Sequence, residues 1–231
     1  MKSTVFNLII LDESGSMGQM TEQTISGCNE TLNTIRHSAK EHADSINSFI
    51  SIFAFQDGGP VKSRYLVKNV RPEDVKPITD ADYQPYGNTP LLDAVGSTLT
   101  ELKAIADTHE DSTGIVTIMT DGYENSSSNY NWKQVAALIS QLKELGWTIN
   151  LIGANIDVNR MARAMDIDSS NAMQYSQTSE GTKRMWNNFN ASVSSRYADE
   201  GVCAGAPCSK EEKVSRRKAF SKRFFNKDSQ D

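Results

Sequence analysis

The sequence predicts a doubly wound α/β fold: a mostly parallel central sheet with one antiparallel edge strand and helices on both faces. Three observations point there. Short apolar runs at residues 4–11, 50–55, 115–119 and 147–152 show little alternation, as strands covered on both sides do. Segments between them repeat apolar residues at three- and four-residue steps, as amphipathic helices do. The chain has 231 residues, 38% hydrophobic and 23% charged, enough for one α/β domain of ordinary size with some chain left over.

Residues 4–11 read as the first buried strand. Residues 21–42 read as a helix, with Ile25, Cys28, Leu32 and Ile35 on its apolar stripe. A second strand at 50–55 is followed by the turn cluster Asp57-Gly58-Gly59-Pro60. The β-rich residues 61–70 then return beside it as the expected antiparallel strand. Residues 71–88 carry Pro72, Pro77, Pro85 and Gly87 and read as an irregular connection. Pro90 sits where a helix can begin, and Leu91, Leu92, Val95, Leu99 and Leu102 form its stripe. A third buried strand at 115–119 precedes a helix at 131–145, closed by Gly146. A strand at 147–152, a short helix at 158–165, a short edge strand at 173–175 and a last helix at 180–197 complete the domain, taken as residues 1–200. Strands alternating with helices at this spacing give a parallel sheet.

Composition removes several classes. The balance of residues excludes collagen-like, mucin-like and largely disordered chains. Three cysteines make no disulfide scaffold, and an odd number argues against an oxidising compartment. The apolar run at 5–11 is too short to span a bilayer and leads into Asp12-Glu13-Ser14 rather than a small-residue cleavage site. A soluble, cytoplasmic protein is the expectation. The net charge of −5 is uneven: residues 201–231 carry eight Lys or Arg against four Asp or Glu, leaving −9 on residues 1–200. That basic stretch reads as a flexible tail outside the core, and an acidic body of this kind does not suit a dedicated nucleic-acid binder.

Doubly wound sheets build their sites in loops at the carboxyl ends of strands. Three loops stand out: Asp12-Glu13-Ser14-Gly15-Ser16-Met17 after the first strand, Gly87-Asn88-Thr89-Pro90 before the Leu91 helix, and Thr120-Asp121-Gly122 after the 115–119 strand. Together they offer Asp12, Ser14, Ser16, Thr89 and Asp121, a set made only of oxygen donors. Hard divalent ions, Mg²⁺ above all, with Mn²⁺ or Ca²⁺ as substitutes, take such ligands. Asp12 and Ser14 alternate along an extended segment and can point to one place, while Gly15 and Gly122 permit the turns. Helix capping and turn-making by Asp and Ser are the competing reading of the first loop.

Asp-x-Ser-Gly-Ser after an apolar strand, a downstream Gly-Asn-Thr-Pro-Leu and a later Thr-Asp-Gly resemble the von Willebrand factor A domain and its metal-ion-dependent adhesion site. The resemblance covers about residues 3–197. It implies a Rossmann-like fold, with Ser14, Ser16 and Thr89 supplying hydroxyls to the ion and Asp12 and Asp121 binding largely through water. It further implies protein binding without catalysis, through an acidic side chain of the partner that completes the ion's coordination. Bacterial relatives are linked to MoxR-type ATPases, protein kinases and phosphatases, or tellurite-resistance modules, so those are the partner classes implied. Glu13, Met17, Asn88, Tyr123 and Glu124 form the candidate partner-binding rim. The segment Gly153-Ala154-Asn155-Ile156-Asp157 resembles a signature of a bacterial and phage subset, and Asp157 as a helix cap accounts for it almost as well.

Other features favour plainer readings. Asp93 could support the site but reads as a solvated helix residue. His37 and His42 are five apart and lie on different helix faces, which argues against a zinc pair. Cys28 falls in a core stripe, and Cys203 and Cys208 read as free thiols of the tail. The basic and aromatic residues 213–225 could dock an acidic partner, nucleic acid or a membrane surface, but a solvated helical extension is the simpler account. No Gly-x-x-x-x-Gly-Lys-Ser/Thr, Gly-x-Gly-x-x-Gly or Gly-x-Ser-x-Gly motif occurs. The rival function is a Mg²⁺-dependent phosphoester hydrolase, for which the extra carboxylates would be Glu13, Asp93 and Glu124.

Overall fold

The computed structural model describes residues 2–59 and 61–225. Strand β1 (Ser3–Asp12) lies in the middle of a six-stranded sheet, and all ten of its residues are buried. That double cover explains the missing alternation. Phe6, Leu8 and Ile10 face one core, and Val5, Ile9 and Leu11 face the other. Burying one such side chain contributes about 1.5–3 kcal/mol.

β1 pairs in parallel with β2 (Ile46–Phe55) on one side and β4 (Ser112–Thr120) on the other. β5 (Thr148–Gly153) and the short β6 (Ala172–Gln174) continue beyond β4, both parallel. β3 (Arg64–Val70) is the antiparallel strand expected at the opposite edge, beside β2. The order is therefore β3-β2-β1-β4-β5-β6. From β1 the chain winds outward to β3, then returns to the other side of β1 with β4. The carboxyl ends of β1 and β4 thus flank the point where the winding reverses, the place such sheets leave a crevice.

Helices α1 (Thr21–Glu41) and α5 (Ser179–Gly205) cover one face through Cys28, Leu32, Ile35, Trp186, Phe189 and Val193. Helices α2 (Leu91–Ala106), α3 (Trp132–Glu144) and α4 (Val158–Ala164) cover the other. α1 and α5 approach closely because residue 27 has no side chain: a Cβ there would lie 2.0 Å from the Trp186 ring. Asn131 caps α3 in a capping box with Gln134, and Asp157 caps α4 by accepting from the Arg160 backbone N–H at 2.9 Å. Asn7, the polar interruption of β1, donates to the Tyr197 hydroxyl at 2.8 Å and to the Phe49 carbonyl at 3.0 Å, so its buried amide N–H groups are satisfied, while its Oδ1 has no partner among the described residues.

The C-terminal segment departs from the sequence expectation. The last helix does not stop at residue 197 but runs to Gly205, and Lys210–Ser221 forms a further helix, α6, capped by Ser209. α6 packs against α5, α3 and β5 at the amino ends of the strands. Its Arg217 is buried, donating to Glu200 of α5, to Asp111 at 2.7 Å and to Ser3 at 2.9 Å. Phe224 and Phe225 join the α1/α5 core, and Cys203 is buried in α5. Up to Phe225 the segment is therefore part of the packed structure rather than an extension outside it. Its charge misled because paired arginine and glutamate can be buried where isolated ones cannot. Residues 226–231, the end of the expected tail, lie outside the described residues. Among the described residues no helix is long and apolar enough to cross a membrane.

Candidate metal centre

Asp12 is the last residue of β1 and Thr120 the last of β4. Sheet register places them side by side, and the Thr120 hydroxyl donates to Asp12 Oδ2 at 2.6 Å. The chain leaves β1 in an extended conformation, so the Ser14 backbone N–H turns back to Asp12 Oδ1 at 2.7 Å. A short 3-10 turn from Gly15 to Met20 follows. It brings the Ser14 and Ser16 hydroxyls to 3.2 Å, and Ser16 donates to Asp121 Oδ1 at 2.6 Å. First and third loops are thus joined by side chains 105 positions apart.

The second loop is held by backbone. Gly87 has φ +72, and its Cα lies so near the Asp57 carbonyl that a Cβ would fall 1.9 Å from that oxygen. Asn88 and Asp57 form an antiparallel bridge, and Gly15 N–H donates to the Gly87 carbonyl at 3.1 Å. Thr89 is buried, and its N–H donates to the Asn125 side chain at 2.8 Å. Its hydroxyl faces the other two loops: a Cβ on Gly122 would lie 3.0 Å from Thr89 Oγ1 and 3.8 Å from Asp12 Oδ2. The five oxygen-bearing side chains read from the sequence therefore gather at one crevice.

The electrostatics of this crevice are unusual. Among the described residues neither Asp12 nor Asp121 forms an ion pair with Lys or Arg. Burial pushes the Asp12 carboxyl up to about 6; hydrogen bonds from Thr120 and Ser14 oppose this, and the charge of Asp121 adds to it. Two carboxylates thus lie close together beside three hydroxyl oxygens, with no cationic side chain among the described residues paired to them. That donor set fits a hard divalent cation. Among the described residues no group of three or more His, Cys, Asp and Glu is arranged around a metal position, so any ion here depends on the hydroxyls.

The rim is smaller than expected. Glu13 is fully buried: Arg64 grips it at 2.6 and 3.1 Å, and Gln56 and the Gln84 backbone donate to it at 2.9 and 2.6 Å. It ties the connection at residues 71–88 to β3 and is not a rim charge. Met17 is buried in the α1/α5 core and cannot contact a partner. Glu124 is half-buried and spent on the start of α2, accepting from the Leu92 N–H at 2.8 Å and from Ser126 and Ser127. Asn88 and Tyr123 remain exposed. Asp93 pins the loop after Asp121 by accepting the N–H groups of Ser128, Asn129 and Tyr130 at 2.8–2.9 Å. The reading of Asp93 as merely solvated missed that role.

Two supporting residues escaped the sequence. Thr120 appeared only as part of its motif, yet its hydroxyl holds Asp12. Gln177, before α5, donates to Asp121 Oδ2 at 3.0 Å, and Asn155 in turn donates to the Gln177 carbonyl oxygen, orienting its amide. No local pattern announces it.

A doubly wound α/β domain with a hydroxyl–carboxylate crevice at its winding switch is the class these features define. No protein-family model and no curated protein matches the chain by sequence. Solved structures do match. A von Willebrand factor type A protein from Catenulispora acidiphila aligns with TM-score 0.51 and 15% identity over 86% of this chain and 43% of its own. Manganese-loaded Plasmodium vivax TRAP aligns with TM-score 0.51 and 17% identity over 82% of this chain and 71% of its own. The pilus adhesin SpaC from Lactobacillus rhamnosus GG aligns with TM-score 0.59 and 14% identity over 85% and 31%. The chain thus spans less than half the length of two of these three. Its fold is that of the von Willebrand factor A domain.

Proposed function

We propose that the chain is a divalent-cation-dependent protein-binding domain, an adaptor or scaffold that captures an acidic side chain of a partner. The observation that carries this reading is the crevice itself, where Asp12 and Asp121 meet the hydroxyls of Ser14, Ser16 and Thr89 and, among the described residues, form no ion pair with a basic side chain. Ser14, Ser16 and Thr89 would hold the ion directly, and Asp12 and Asp121 would hold its waters. A cation bound there supplies a positive face and an open coordination position to an incoming carboxylate. Thr120 and the Ser14 N–H orient Asp12, while Ser16 and Gln177 orient Asp121, so the donors are set before a partner arrives. Mg²⁺ is the ion favoured by this chemistry; the manganese of TRAP supports a divalent ion in the same fold. A partner of the MoxR-type ATPase, kinase or phosphatase classes belongs to this proposal as what the motif resemblance implies, and a cytoplasmic setting as what the cysteine content and the short first apolar run suggest.

Binding is favoured over hydrolysis because the spare carboxylates are engaged. Glu13 is locked by Arg64, Glu124 holds α2, and Asp93 holds residues 128–130. None is available as a general base beside an ion.

Calorimetry with Mg²⁺ and Mn²⁺ tests the site. Uptake of one ion by the wild type is expected, lost in Asp12→Ala and in the near-isosteric Thr89→Val, with circular dichroism and the melting temperature of Thr89→Val unchanged. No uptake by the wild type would sink the proposal. Release of a captured partner by chelator is the companion result, and turnover of a phosphoester under the same conditions would favour the hydrolase instead.

A further inference from the structure

Beside the crevice, Tyr123, Trp132, Arg160, Met161 and Ala164 line an open groove of about 370 Å³ whose walls are almost entirely apolar. Tyr123 and Trp132 are among the few large apolar side chains that this chain exposes, at 56% and 37%. Both belong to the loop and helix that follow Asp121, and Arg160 and Met161 lie in the first turns of α4. Both helices begin at the carboxyl edge of the sheet, so the groove opens on the same side of the molecule as the five oxygen donors. The Tyr123 ring is not loose: its hydroxyl accepts the Asp157 N–H at 2.9 Å, which fixes one wall of the groove. At the rim stands Arg160, exposed and, among the described residues, without an ion-pair partner. An unpaired guanidinium beside exposed aromatic rings suits an acidic neighbour.

We infer that this groove is the second anchor point for the partner segment: it receives a large apolar side chain, with an acidic residue next to it facing Arg160, from the same peptide whose carboxylate enters the crevice. Tyr123 is two residues from Asp121, so their Cα atoms are at most about 7 Å apart. An extended peptide advances about 3.3 Å per residue. The apolar side chain therefore falls about two to four residues from the metal-directed acid. A lone carboxylate on a cation selects little, because every protein surface has one; the groove adds the discrimination that an aromatic-lined pocket supplies. This inference rests on the proposed cation-dependent binding.

The test uses the full chain, labelled for NMR at the Trp132 indole and the Met161 methyl, with two probes. One is N-acetyltryptophanamide. The other is the peptide acetyl-Gly-Asp-Ser-Gly-Trp-Glu-Gly-amide, compared with versions in which Trp becomes Ser or Asp becomes Asn. N-acetyltryptophanamide should shift both signals with or without chelator. In Mg²⁺ the parent peptide should bind at least tenfold tighter than either altered peptide. Trp132→Ala should erase most of the difference between the Trp and Ser peptides, Arg160→Glu, at an exposed position, should weaken both of these Glu-bearing peptides alike, and both variants should leave Mg²⁺ uptake unchanged. Silence of Trp132 and Met161 towards both probes, with acidic peptides still captured in Mg²⁺, overturns the groove alone. Shifts at both signals with no effect of Mg²⁺ or of the peptide Asp overturn two-point capture through the failure of the cation reading.

Discussion

Gln177 stands 56 positions beyond Asp121 yet donates to its carboxylate, and Asn155 turns the Gln177 amide so that the N–H side faces the crevice. A hydrogen bond to a charged group contributes about 1.5–3 kcal/mol when buried and less where water competes. Replacing Gln177 by Leu should therefore weaken divalent-cation affinity about tenfold, an effect of about 1.4 kcal/mol, read by calorimetry with the fold unchanged. Unaltered affinity would show that Asp121 needs no such support. At this scale the sequence was informative where chemistry is concentrated in short motifs. Asp12, Ser14, Ser16, Thr89 and Asp121 could be picked out because each follows a strand or precedes a helix with glycine beside it. Gln177 and the burial of Glu13 could not, since both depend on partners far along the chain, Asp121 and Arg64.

Between elements, the contact of α1 with α5 turns on Gly27, where an added methyl would clash with the Trp186 ring. On helix propensity alone Gly27→Ala would stabilise by about 1 kcal/mol. Overpacking typically costs about 1–3 kcal/mol, and a backbone-bound Cβ cannot swing aside. The steric effect should win, so Gly27→Ala is expected to lose about 1–2 kcal/mol, measured by urea unfolding. A gain in stability would mean that Trp186 moves freely, and that α5 is not held by this crossing. The strands were readable from unbroken apolar runs and the helices from apolar periodicity, because both report burial directly. α6 was not. Its few apolar residues and many charges resemble a solvated helix, and only the tertiary partners Glu200 and Asp111 bring Arg217 inside.

For the molecule as a whole, Arg196, Glu200, Arg217 and Asp111 make an ion cluster at the amino ends of the strands, opposite the crevice. Burial alone would raise the Glu200 carboxyl, but the hydrogen bond and charge of Arg217 and the charge of Arg196 outweigh it and hold it below the ordinary glutamate range. A carboxyl with a lowered folded pKa contributes stability that is complete above its unfolded value and lost as pH falls through its folded value. Stability should therefore decline in acid below about pH 4.5, the ordinary glutamate value. Arg217→Met should cost about 3 kcal/mol at neutral pH, because it leaves Glu200 and Asp111 short of a partner, and should flatten that acid slope. Equal acid slopes in the two proteins, followed by chemical denaturation at several pH values, would exclude the cluster as its source. The edges of the sheet carry one more consequence. β3 is partly exposed and irregular, its register against β2 shifting twice, and Lys68 projects from it; β6, at the far side, is only three residues long. Neither border offers a long flat row of free amides to a stranger's backbone, so the sheet is self-terminating and resists growing into fibrils by templated strand addition.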